Sequence, residues 1–151
     1  MFEAAHSERI QAPAAAVWEL WADPGRWPDW DHRITSAELG GELRVGAELR
    51  VKLRRGGRVR YEVIELEPER LLITEVRFPG ARLGHEQRLE PAGDAVASAH
   101  RLYVSGPLSG FWAPMLGRKR MRENVSRFGP RERELVEPGA RPKQERNARR
   151  R

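Results

Sequence analysis

From Ile34 to Val104 the chain is a series of short segments in which apolar and polar residues alternate. Leu49, Val51 and Leu53 alternate with Arg50, Lys52 and Arg54, and Val59, Tyr61 and Val63 with Arg60 and Glu62. Leu72, Thr74, Val76 and Phe78 alternate with Ile73, Glu75 and Arg77. A period of two places one apolar face on each strand, and the other face meets water. Gly40-Gly41, Gly56-Gly57, Glu67-Pro68 and Pro79-Gly80 separate the segments as turns. With Glu3–Ile10 as a hydrophilic first strand near an edge, seven strands result, joined by short turns and therefore antiparallel.

Two stretches carry a helical period instead. Ala14, Val17, Trp18 and Trp21 form one stripe after Pro13, which the spacing places at the first helical position, and Asp23-Pro24-Gly25 stops that helix. The aromatic segment Trp27-Pro28-Asp29-Trp30-Asp31 follows and is expected to plug one side of the core. After Gly106-Pro107, Phe111, Met115, Arg118, Met121, Val125 and Phe128 recur near 3.6 residues and predict one final helix, which Gly129-Pro130 interrupts or ends.

The last two strands form the hairpin Arg82–Val104 around Pro91-Ala92-Gly93-Asp94. With Ala92-Gly93 as a two-residue loop, paired residue numbers sum to 185, placing His85 opposite His100 and Gln87 opposite Ser98. These four share a face with Leu83, Leu89, Val96, Leu102 and Val104, so two imidazoles, an amide and a hydroxyl stand among aliphatics. Such a face implies a lined cavity more than a sealed core.

Composition narrows the class. A chain of 151 residues, 39% hydrophobic and 33% charged, fits one α+β domain with a charged surface. It has no cysteine, and no apolar run long enough to span a membrane. The start Met1-Phe2-Glu3 is not a secretory leader, and the expectation is a cytoplasmic protein. Of the net charge of +6, the segment Arg141–Arg151 carries +5. The folded part is therefore not a nucleic-acid module by charge. The basic end can make at most a weak electrostatic contact with anionic surfaces.

The motifs Ile10-Gln11-Ala12-Pro13, Val17-Trp18, Asp23-Pro24, Trp27-Pro28 and Trp30-Asp31 occur in that order. They continue with Glu65-Leu66-Glu67-Pro68, His85, His100-Arg101-Leu102 and Ser105-Gly106-Pro107-Leu108. The sequence thereby resembles the START-like (SRPBCC) superfamily, and in particular its bacterial polyketide cyclase/dehydrase-like group. The resemblance implies a helix-grip fold: a curved seven-stranded antiparallel sheet wrapped around a C-terminal helix, with two short helices after the first strand. It also implies a deep cavity for lipids, polyketides or other apolar molecules. The domain expected from it is 1–137, with 138–151 as a basic flexible tail.

His85 and His100 are the candidate catalytic groups, because imidazole titrates near neutral pH. The candidate ligand-binding residues are His85, Gln87, Ser98, His100, Tyr61, Thr74, Trp27, Trp30, Met115 and Met121. His32 is expected at the surface. A metal would need a third ligand, for which only His6 or Glu8 is near, and no ligand spacing is recognisable. No metal or cofactor is expected. The reading is that a small hydrophobic ligand binds between sheet and last helix. The alternative is a polyketide cyclase or dehydratase that uses the cavity histidines as general acid and base. Oligomeric state is not legible.

Overall fold

The computed structural model describes residues 1–138; apart from Pro138, the expected tail lies outside the described residues. β1 (Phe2–Ile10) runs into α1 (Ala14–Ala22), with Pro13 at the cap, one residue before the first helical position. A 3₁₀ turn, Pro24–Arg26, is capped by the Asp23 carboxylate, which accepts from the Gly25 N–H at 3.0 Å. The aromatic segment closes into α2 (Trp27–Trp30). Six strands follow: β2 (Ile34–Leu39), β3 (Glu48–Leu53), β4 (Arg58–Glu67), β5 (Leu71–Phe78), β6 (Ala81–Ala92) and β7 (Ala95–Ser105). The chain then enters α3 (Ser109–Leu116) and α4 (Arg118–Val136).

All seven strands join one antiparallel sheet in the order β1-β7-β6-β5-β4-β3-β2. Register shifts interrupt the β2–β3 and β4–β5 ladders, and irregularities of that kind bend a sheet. α4 packs across the inner face against β1 and β7, giving the helix-grip architecture. α1 and α2 fill the space between helix and sheet with Trp21, Trp27 and Trp30, each at most 2% exposed.

Three local expectations are corrected. The hairpin loop is Gly93-Asp94, with Gly93 at φ 71°, because a II′ turn takes its glycine at the first loop position. Paired numbers therefore sum to 187, and His85 faces Leu102 while Gln87 faces His100. The shift is two residues, so every side chain keeps its face. The final helix is two helices, because Gly117 at φ 89° turns the chain between Leu116 and Arg118. Finally, α4 does not end at Gly129-Pro130. Proline removes one helical bond, but the bare Gly129 lets the helix lie against β1, where a Cβ would stand 2.5 Å from that of Glu8. Packing overrides the local breaker and carries Glu132 into the protein.

Candidate functional site

Two cross-strand rows set out the polar groups of the inner face. One row runs Val63, Thr74, His85, Leu102, Ala4, and the next Leu72, Gln87, His100, His6. His85 and His100 are thus diagonal neighbours on adjacent rows, within reach of long side chains. Their rings meet with Nε2 of His85 2.9 Å from Nδ1 of His100.

This contact is one link of a longer buried chain. Asp31, at the end of α2, holds the Arg33 guanidinium by two hydrogen bonds, Nε to Oδ1 at 3.0 Å and Nη2 to Oδ2 at 2.8 Å. Arg33 Nη2 also lies 3.3 Å from His85 Nδ1. Beyond the histidine pair, His100 Nε2 stands 2.9 Å from Glu132 Oε1 on α4. The same carboxylate accepts from Ser98 Oγ at 2.7 Å and from the Trp21 indole N–H. A guanidinium can only donate. His85 Nδ1 must therefore accept, its proton resides on Nε2, and His100 Nδ1 accepts that proton's hydrogen bond. The His100 proton then resides on Nε2 and points at Glu132. One direction of donation runs from Arg33 to Glu132 and fixes both tautomers.

The electrostatics agree with this direction. Burial first, then the Arg33 charge and His100, push the His85 pKa well below the usual 6.5. Burial opposes the Arg33 charge, but the Asp31 carboxylate and Tyr61 together more than offset it and hold the guanidinium ionised. Burial raises the Tyr61 phenol to about 12, against the lowering influence of Arg33.

Phe128 occupies the middle of the fold. Its ring lies 4.8 Å from that of His85, 5.2 Å from that of His100 and 6.0 Å from that of Trp30, and the Arg33 guanidinium sits 4.8 Å from its centroid. What remains is a cavity of about 10 Å³ lined by Arg33, Tyr61, Thr74, Val76, Leu83, Gly84 and His85. That is room for about one water molecule. Arg33 reaches Asp31 and His85 through Nε and Nη2. Three side chains able to donate, from the approach to β2, from β4 and from β5, therefore border one cavity.

The expected site residues separate into layers. His85, Tyr61 and Thr74 line the cavity. Gln87 and His100 are sealed one row deeper and Ser98 one row beyond them, all at most 2% exposed, and Gln87 Nε2 has no hydrogen-bond partner. Trp27 and Trp30 are packed, and their indole N–H groups donate to the Trp21 and Leu20 carbonyls at 2.8 and 3.3 Å. Met121 is buried in the α4 core, whereas Met115 is 68% exposed on α3, because the turn at Gly117 separates the two. His32 is half-buried rather than exposed and hydrogen-bonds Asn124 at 2.8 Å. His6 pairs with Glu8 at 3.2 Å. Among the described residues no three His, Asp or Glu side chains are placed to hold a metal ion, and no helix is long and apolar enough to cross a membrane.

Sequence reasoning missed Asp31, Arg33 and Glu132. Glu132 had a signal: it follows Phe128 by four and Val125 by seven, on the apolar face of α4. Arg33 lies in the connection into β2, where no period marks a buried position.

Solved structures share the fold. DynU16, from the dynemicin biosynthetic locus, has a TM-score of 0.65 at 21% identity, over 87% of this chain and 45% of that one. BexL, a di-domain ARO/CYC protein of the BE-7585A biosynthetic pathway, gives 0.69 at 17%, over 91% and 48%. A START superfamily protein from Mycobacterium smegmatis gives 0.68 at 16%, over 89% and 96%. The chain thus spans about half the length of the first two, and identities this low establish likeness of fold alone. No curated protein matches the sequence. Residues 1–136 match the family described as polyketide cyclase/dehydrase and lipid transport, and the chain belongs to that family.

Proposed function

We propose that the domain binds a small, mostly apolar molecule bearing an oxygen function, between the sheet and α4. One observation supports this above the others: Arg33, Tyr61 and Thr74, three side chains able to donate hydrogen bonds, line one small cavity among apolar neighbours. Apolar pockets with a few convergent polar groups are the usual form of a ligand site. A carbonyl or phenolic oxygen would accept from these donors, while the apolar body would take the place of the Phe128 ring. The space left by the closed form holds about one water, so Phe128 would have to swing away on entry.

The cyclase or dehydratase alternative then shifts to other residues. Both ring nitrogens of His85 and both of His100 are engaged within the protein. Proton transfer to a bound molecule would fall to Tyr61, with Arg33 to stabilise a developing enolate. BexL, an ARO/CYC protein of this fold, gives that alternative its support.

The test compares 2-naphthol with naphthalene by calorimetry, in the wild type, in Tyr61→Phe/Thr74→Val and in Phe128→Ala. The naphthol should bind more tightly than naphthalene, and the difference should vanish in the double variant. Phe128→Ala should strengthen both. Equal affinity of the two compounds for the wild type, or a difference that survives in the double variant, would overturn the reading.

A further inference from the structure

Few large apolar side chains are exposed among the described residues: Met1, Val45, Leu108, Phe111 and Met115. Three of the five fall within eight positions of one another. Phe111 is 58% exposed and Met115 68%, four residues apart on the outer side of α3. The inner side of that helix is firmly seated: Ala113 is buried, the Trp112 indole donates to the Pro79 carbonyl at 2.8 Å, and its ring stacks on Phe78 at 4.9 Å. α3 is therefore seated over the β5–β6 turn by Trp112, Ala113 and Leu116, while Phe111 and Met115 stand on its outer side, where a surface helix ordinarily carries polar residues.

Charge singles out the same place. Between Ala95 and Arg122 the sequence has no Asp or Glu. Directly after α3 come Arg118, Lys119, Arg120 and Arg122, which form no ion pair among the described residues. Four cations in the first turns of a helix stand against its own macrodipole, an arrangement that an external anion relieves. Beside α3 an open groove of about 500 Å³ is lined by Arg77, Phe78, Gly80, Arg82, Ser105 and Pro107, its two arginines already paired with Glu62 and Glu75.

We propose that α3 and the start of α4 dock the protein on an anionic lipid surface, with Phe111 and Met115 entering the acyl boundary and the four cations at the headgroups. The shape favours lipid over an acidic protein. Two or three side chains protruding from a convex helix fall far short of the roughly 800 Å² per partner of a standard protein interface. A bilayer needs no complementary pockets and takes exactly this combination of a few inserted side chains and adjoining basic residues.

The full chain is tested by co-sedimentation with vesicles of phosphatidylcholine alone and of phosphatidylcholine with phosphatidylglycerol. Binding should require phosphatidylglycerol and weaken as salt is raised. The Phe111→Ser/Met115→Ser variant keeps every cation, including those beyond residue 138, and changes only exposed positions. Its partition into the anionic vesicles should fall about tenfold. Brominated lipid should quench tryptophan emission in the unaltered protein, because Trp112 lies beneath Phe111. Equal partition of variant and wild type, no binding of the wild type to anionic vesicles, or binding to an acidic protein with none to vesicles would each overturn the proposal.

Discussion

His100 Nε2 lies 2.9 Å from Glu132 Oε1, and that contact ties the seventh strand to the last helix at a point where neither residue is more than 1% exposed. The carboxylate also receives Ser98 and Trp21. Glu132→Leu would leave three buried donors without an acceptor, at a cost of about 3 kcal/mol or more. Glu132→Gln keeps one acceptor oxygen in place and should lose clearly less. Urea unfolding of the two variants measures the difference, and near-wild-type stability for Glu132→Leu would mean that the carboxylate does not organise the core.

The depressed His85 pKa gives a pH dependence with a definite sign. Below about 6.5 the unfolded chain takes up a proton on this ring that the folded protein refuses. Stability is therefore complete above that pH and declines as pH falls toward the folded value, by up to roughly 1.4 kcal/mol per pH unit. His85→Gln can still accept from Arg33 and donate to His100, and should flatten the slope between pH 5 and 6.5 by about that amount. Melting curves across that range compare the two proteins. An unchanged slope would place the titration elsewhere.

On the outer face, Tyr103 lies flat over Gly84 and donates to Glu75. A Cβ at position 84 would stand 1.9 Å from the Tyr103 ring, so Gly84→Ala must displace the tyrosine and break that hydrogen bond. The expected loss is about 2–3 kcal/mol. Adding Tyr103→Val should recover part of it, because the smaller side chain makes room. Chemical denaturation of the single and double variants gives the coupling, and strict additivity would argue against the contact.

How far the sequence reveals this site depends on which physical signal governs each residue. The period of two placed His85, Gln87, Ser98 and His100 on one face, and this survived a misplaced turn because the register moved by two residues. Tyr61 and Thr74 were legible in the same way. Glu132 was obscured because the local rule for Gly129-Pro130 favours a break, while the packing of α4 on β1 favours continuation. Met115 was misassigned because a single glycine, Gly117, ends the face that seemed to run through it. Asp31 and Arg33 lie in a non-repeating connection, and their burial follows from the position of α2 against the sheet, which no local pattern encodes.

The central claim is that one direction of hydrogen bonding runs through the buried core, from Arg33 through His85 and His100 to Glu132, and so withholds both histidines from any ligand. Long-range ¹⁵N–¹H correlation of the imidazole nitrogens at pH 7 tests it without perturbing the protein. Both rings should carry their proton on Nε2 with Nδ1 bare, and should keep that pattern when 2-naphthol is added. A proton on Nδ1 of either ring, or a change of tautomer as 2-naphthol binds, would contradict it.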